Sequence, residues 1–414
     1  MKKYVFLTMN IGGINGAEQY ILNKYNYLKD REDGYRVFIF SGRDSEILIR
    51  AFEPFRKLIH PALRFYPSYL NAKERKAFTD WMLRELDVQP DDTFVVESSN
   101  ITCALWGEVL AEKLHCRHFA YIMQENFRFS EPIKRFLRFK VDRHELAGIK
   151  AGSVQKMLGA LAPEEREDMS VRAFCNNVVQ DCEDPYSARF DPEPRITIGS
   201  VGRLEKKHVL PLIDDLCAYF QAHADRKYRL VLIGGCADKR QTKAIEERIA
   251  QCPNVALLLT GTVYPIPRGL VNACDLFISA AGSAAATYYA NRPTIKVSFD
   301  TGKPLGLMGY DYFVGVSGQE EKPTPLGDYI DMALTKSVGI RYVEDYEQTY
   351  ARRMQTEFER HLAIAAEEQT SAYYDVWNIG YDDPKYKLCA YISRVFGVRA
   401  AYRTVEAVRK SVRE

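Results

Sequence analysis

Residues 275–298, "DLFISAAGSAAATYYANRPTIKVS", decide the fold. Leu276-Phe277-Ile278 is a short apolar run of the kind that parallel sheets bury on both faces, and Thr294-Ile295-Lys296-Val297 is a second. Between them stand a glycine-serine turn (Gly282, Ser283), an alanine-rich helical stretch and Pro293 before the next strand. Strand, turn, helix and strand make a crossover unit, and its turn falls where a parallel sheet presents groups to a ligand. Helix-terminal amides and the Ser283 hydroxyl suit phosphate or sugar oxygens, whereas the alanines suit close packing on the sheet.

The pattern repeats upstream. In "RITIGSVGRLEKKHV" (195–209) a strand runs into a glycine turn, and Val209, Leu212, Ile213, Leu216, Tyr219 and Phe220 then mark an amphipathic helix. "YRLVLIGGC" (228–236) is a strand ending in Gly234 and Gly235, followed by a charged helix over 238–251 and the strand "NVALLLTG" (254–261). Near the start, Tyr4–Leu7 is a buried-type strand, "NIGGINGAEQ" (10–19) a glycine loop, and Ala17, Ile21, Tyr25 and Leu28 recur at helical spacing before the strand "RVFIFSG" (36–42). Further strands are expected at 93–99 and 117–125. Pro192 and Pro194 mark a hinge, and from about 345 the chain reads as helical, aromatic and charged. The expected organisation is α/β: one Rossmann-like domain over 1–190, a second over 191–345 and a helical tail over 346–414.

Bulk properties narrow the function classes. The 414 residues exceed one ordinary core, and 46% apolar with 27% charged residues describes a globular protein. A formal charge of +2 gives no whole-molecule attraction to nucleic acid, and no nucleic-acid motif accompanies the local basic stretches. Nine scattered cysteines without C-x-x-C, and dispersed histidines, indicate reduced thiols in a cytosol and no metal site. "MKKYVFLTMNIGG" reads as a first strand rather than a secretory leader, and no apolar run reaches the length of a spanning helix.

Several segments carry candidate chemistry. Gly12 and Gly13 let backbone amides approach an anionic ligand, or simply make a tight turn. Arg203, with Lys206 or Lys207, stands on the loop after a strand, where a guanidinium fork and an ammonium suit a diphosphate. Gln124, Glu125 and Asn126 end a strand, as substrate contacts, an acid/base or a helix cap. Phe127, Phe129, Phe136 and Phe139 alternate with cations over 126–140. At the C-terminus Val395, Val398, Tyr402, Val405, Val408 and Val412 form one helical stripe with five cations. Such a helix lies on an anionic membrane or packs on its own protein.

Together these features resemble a GT-B glycosyltransferase of the group-one, family-four type found in polysaccharide and lipopolysaccharide biosynthesis. The likeness rests on "GGINGAEQYILN", "VGRLEKKHVLPLID", "YRLVLIGG", "VALLLTGTV" and "VNACDLFISAAGSAAATYYANRPTI" in their order. It implies two Rossmann-like domains facing a cleft, with the last helices crossing back to the first domain. By the resemblance Arg203 and Lys207, or Lys206, neutralise a donor diphosphate without metal. Gly234 and Gly235 border the nucleotide, Thr262 to Tyr264 its base, Gly282 and Ser283 the phosphates, and Gly12 and Gly13 close over the donor. Glu125 is the candidate acceptor contact or base. The implied reaction is metal-independent, retaining hexosyl transfer from a nucleotide-sugar, a UDP-sugar by the same likeness, to a glycan or lipid-linked acceptor. No further cofactor and no nucleic acid are implied; the place is the cytoplasmic face of the membrane, with peripheral contact. Relatives carry two glutamates eight positions apart around the opening turn, and here Ala286 or Thr287 stands at the second. That departure leaves two alternatives open: a catalytically degenerate binder of nucleotide-sugar or glycan, or a GT-B-fold sugar epimerase.

Overall fold

A computed structural model describes residues 1–32, 34–43, 46–122, 129–148, 158, 179–314, 319–367, 372–380 and 384–413. The chain divides into two compact units, one of residues 1–175 with 351–414, the other of 176–350.

In the first unit β1 (Lys2–Thr8), α1 (Gly16–Lys29), β2 (Arg36–Ser41), α2 (Ala72–Leu86), β3 (Thr93–Ser98), α3 (Ile101–Leu114), β4 (Arg117–Ile122), α4 (Glu131–Asp142) and β5 (Leu146–Gly148) follow one another. The strands make a parallel sheet in the order β2-β1-β3-β4-β5. The order reverses at β1, so a crevice opens past the carboxyl ends of β1 and β3, as in flavodoxin-like sheets. Between β2 and α2 the backbone forms short 3-10 turns (Arg50–Leu58, Pro61–Arg64, Pro67–Tyr69) that the apolar periodicity did not announce. Asn71 caps α2 and Asn100 caps α3, each accepting a first-turn amide.

The second unit contains β6 (Val179–Gln180), β7 (Ile196–Val201), α5 (Val209–Ala222), β8 (Tyr228–Ile233), α6 (Lys239–Ile249), β9 (Val255–Gly261), β10 (Ile266–Pro267), α7 (Arg268–Asn272), β11 (Leu276–Ala280), α8 (Ala281–Tyr289), β12 (Thr294–Val297), β13 (Pro304–Leu307) and α9 (Leu326–Thr335). Its main sheet runs β13-β12-β11-β7-β8-β9, parallel except for β13. That is the Rossmann order with the switch point between β7 and β11. Alternate residues of β8 divide between two cores: Leu230 and Leu232 pack on one face, Val231 and Ile233 on the other. Both faces are covered, which is why these strands read as unbroken apolar runs. The α5 residues expected to face the core are all buried.

The second unit starts at 176, ahead of the proline pair expected as the hinge. The reason is local: β6 pairs with β10, Arg268 bridges to Asp181, and Tyr186 and Phe190 pack on the core beneath β9 and β11. After α9 come α10 (Tyr346–Ala366), α11 (Pro384–Phe396) and α12 (Val398–Arg413), and residues 351–414 fold with the first unit. The single C-terminal stripe expected from 395 onward is broken. Gly397, at φ 87°, takes the left-handed conformation that ends α11, so Val395 is exposed on α11 while Val398 is buried at the head of α12.

A candidate nucleotide-diphosphate site

The site is built from loops that leave the second unit's sheet at the carboxyl ends of β11, β7, β8 and β9, which are neighbours in that order. Strands β7 and β11 pair only at Leu276↔Ile198 and Phe277↔Gly199. Beyond that point they diverge, and the buried Ser279 Oγ accepts a hydrogen bond from Val201 N at 2.9 Å, replacing the lost ladder contact. Ser279→Ala therefore leaves a buried amide unpaired, and we expect a loss of about 1–3 kcal/mol in urea unfolding; an unchanged midpoint and slope would show that water takes its place.

The loops after β7 and β8 are tied together through their backbones. Gly202 N donates to Ile233 O and Leu204 N to Gly235 O, both at 3.0 Å. A β-carbon on Gly234 would stand 1.9 Å from Gly202 O, and one on Gly235 2.2 Å from Thr262 Oγ1. Both glycines are there because two neighbouring loops pass within contact of them. Gln241 on α6 donates to the Leu204 and Lys206 carbonyls and fixes the basic turn from below.

On that turn Arg203 is half exposed, with Nη1 3.5 Å from Glu205 Oε1. Lys207 is exposed and paired with Asp300, and Lys206 lies 5.0 Å over the Phe299 ring. His208 Nδ1 is 3.1 Å from Phe299 O. Burial of that imidazole lowers its pKa, so it stays neutral and acts as a strut. The β7 loop thus reaches the loop after β12; at the head of α8, Gly282 is exposed and Ser283 half-buried. Ala281 enters that helix at φ 51°, a conformation side chains rarely adopt. Thr262 and Tyr264 follow β9, and burial raises the Tyr264 phenol pKa.

Arg203, Lys206, Lys207, Gly234, Gly235, Thr262, Tyr264, Gly282 and Ser283 accordingly share one sheet edge. Gly12 and Gly13 follow β1 at the carboxyl edge of the first unit's own sheet, where Gly12 N donates to Asn10 Oδ1 at 3.0 Å and Ser99 Oγ to Thr8 Oγ1 at 2.9 Å. Glu125, with the 123–128 segment, lies outside the described residues. Ala286 and Thr287, where the resemblance led us to expect a glutamate, point into the fold: both are buried, and Thr287 Oγ1 meets Thr294 Oγ1 at 3.0 Å. Ser279, Gln241, Phe299 and Asp300 escaped the sequence reading, because each acts through a partner more than 30 residues away or on a different loop.

A second constellation needs weighing. Ser98 Oγ lies 2.8 Å from His118 Nε2, and His118 Nδ1 lies 3.0 Å from Glu108 Oε2. The geometry is that of a hydrolytic relay, but all three side chains are essentially without solvent contact. A β-carbon on Gly107 would stand 2.3 Å from His118 Nε2. No substrate reaches that serine, and the trio is part of the first unit's buried polar core.

No family model and no curated protein matches the chain. Solved structures do. A glycosyltransferase from Rickettsia africae ESF-5 is 12% identical over 88% of this chain and 98% of its own, with a TM-score of 0.57. The lipopolysaccharide outer core galactosyltransferase WaaB, in its apo form, is 14% identical over 87% of this chain and 99% of its own, with a TM-score of 0.51. At such identities the likeness speaks for architecture alone: the protein has the α/β, two-Rossmann-unit fold of GT-B glycosyltransferases.

Proposed function

We propose that the protein is a glycosyltransferase that moves a sugar from a nucleotide diphosphate, UDP in our reading, to a glycan or lipid-linked acceptor in cell-surface polysaccharide assembly at the cytosolic membrane face. One observation carries this: a guanidinium, two ammonium groups, a glycine pair and a helix-head serine converge on the switch-point edge of a Rossmann sheet. Arg203 and Lys207, with Lys206 beside them, neutralise the leaving diphosphate, so the bond to the sugar breaks without a metal ion. Gly234 and Gly235 border the nucleotide, Thr262 and Tyr264 its base, and Gly282 and Ser283 offer amides and a hydroxyl to phosphate oxygens. Gly12 and Gly13 close over the donor, and Glu125 contacts the acceptor or acts as base. Retention of configuration and membership of the family-four group belong to the same proposal, as does the absence of any further cofactor.

The carboxylates of Glu205 and Asp300 hold the cations that the diphosphate must take over. Asp300→Asn therefore frees Lys207, and UDP affinity in a calorimetric titration rises about two- to fivefold, the scale of an exposed pair. An affinity that falls instead would make Asp300 a ligand-binding residue.

One observation favours a second reading, binding without turnover: the inward-facing Ala286 and Thr287 leave α8 without an acid for donor recognition. Titration with a panel of nucleotide sugars, followed by donor-hydrolysis and transfer assays, separates the two. Turnover selects the transferase, tight binding without turnover the degenerate protein, and no binding to any nucleotide rejects both.

A further inference from the structure

The C-terminal helices distribute their apolar residues unlike an ordinary surface pair. On α12 the apolar side turns inward: Val398 and Ala401 are buried, Arg64 lies 4.9 Å over the Tyr402 ring, and Arg64 bridges to Glu406 at 2.6 Å. On α11 small residues face inward, Ala390 and Ser393 being buried and Arg394 reaching Ser68 O at 2.7 Å. Its outer face carries Leu388 (60% exposed), Tyr391 (62%) and Val395 (55%) at i, i+3 and i+7, continued by Phe396 (69%). A helix on a soluble surface turns polar residues outward; this one turns out its largest apolar ones.

Charge identifies what covers that stripe. Residues 384–413 contain eight lysines and arginines and one acid, Glu406, a net +7 in a chain whose total is +2. The acid is already held by Arg64. Lys387, Arg394, Arg399 and Arg403 are exposed on or beside the stripe. Phe396 also walls a cavity of about 460 Å³ together with Leu70, Phe78 and Trp81, which extends the apolar surface inward and includes an aromatic suited to a water–lipid boundary. Among the described residues no helix is long and apolar enough to cross a membrane. A short apolar ridge rimmed by surplus cations fits a surface that is apolar beneath and anionic at its face.

We propose that the outer face of α11, formed by Leu388, Tyr391, Val395 and Phe396 and rimmed by the cations of α11 and α12, docks the protein on anionic lipid bilayers. The docking element is thus α11, whereas Val398 and Ala401 at the head of α12 are buried in the first unit. The inference stands apart from sugar transfer and survives if the protein proves to be a binder only.

The test is co-sedimentation of the full chain with vesicles of phosphatidylcholine mixed with phosphatidylglycerol, against phosphatidylcholine alone. Binding to the mixed vesicles is expected to weaken as salt rises, with little binding to the neutral ones. Leu388→Glu/Val395→Glu should lower partitioning at least about tenfold with an unchanged melting curve. If that variant misfolds, Tyr391→Ser/Val395→Ser gives the same comparison. Arg399→Glu/Arg403→Glu should weaken binding to mixed vesicles only. The proposal fails if the unaltered chain ignores anionic vesicles, if neutral vesicles bind equally, or if the α11 variants bind like the parent. It also fails if sedimentation velocity finds a dimer that the α11 variants dissolve, since a second copy would then be the occupant.

Discussion

Lys140→Met is expected to destabilise the first unit by about 3–5 kcal/mol in urea unfolding, the range for removing one partner of a buried ion pair. Its ammonium is buried, pairs with Glu108 and, at 2.8 Å, with Glu145, and donates to His118 O at 3.1 Å. Glu145 keeps Arg117 at 3.2 Å and Arg143 at 3.0 Å. Glu108 keeps His118, whose pKa burial lowers, and the Tyr374 amide at 2.9 Å. The loss reaches the returning tail, because Arg117 also holds Ile364 O at 2.5 Å and Arg143 holds Ala372 O at 3.0 Å.

Two further readouts distinguish a lost charge partner from a packing defect. Burial pushes the Glu108 carboxyl up, but Lys140 and His118 outweigh it and hold the group at about 2. A carboxyl depressed in the fold contributes stability above its unfolded value of about 4.3 and loses it as pH falls toward 2. In Lys140→Met that depression shrinks, so the variant loses less stability than the parent as pH falls from about 4.3 toward 2, and the gap between the two proteins narrows in acid. Adding Glu108→Gln removes the orphaned charge while leaving an acceptor for Tyr374, and it should restore about 1–2 kcal/mol. A loss below about 1 kcal/mol for Lys140→Met alone would mean that water reaches the cluster.

The sheet elements were legible because doubly covered strands need continuous apolar runs and their loops need glycine where a neighbouring loop passes close, as at Gly234 and Gly235. The buried charges were not. Lys24 falls between Ile21 and Leu28 on the inward face of α1, where a lysine is an unexpected residue type, and its ammonium lies 2.6 Å from Glu97 Oε2 and 2.9 Å from His361 Nδ1, partners 73 and 337 residues away. No local pattern encodes such a pairing, and the expected inward residue Tyr25 is only partly covered. Gly397 was visible as a glycine, but a 3.6-residue valine spacing ran across it and hid the break that sends Val395 and Val398 to opposite environments. At the candidate site the cations were legible from their place after a strand, while Asp300 and His208, which hold that loop against Phe299, needed the fold to bring β7 and β12 loops together.

Arg203→Ala is expected to lower kcat/KM for sugar transfer about 10²–10³-fold, the cost of removing one preorganised donor from developing charge. Its side chain is half exposed and its ion pair to Glu205 is long, so the melting temperature should not move. UDP affinity should fall about tenfold or more, because a planar fork loses two charge-assisted hydrogen bonds to phosphate. Arg203→Lys keeps the charge and loses the fork, and should lie between the parent and the alanine variant. The comparison with Lys207→Ala decides which cation faces the bond that breaks. A kcat loss larger for Arg203 puts the guanidinium there; a larger loss for Lys207 reverses the order, and a rise in KM alone for both confines the loop to binding. If Arg203→Ala binds UDP as tightly as the parent, the diphosphate does not sit on the β7 loop at all, and the convergence of cations on that sheet edge serves only to hold Glu205 and Asp300.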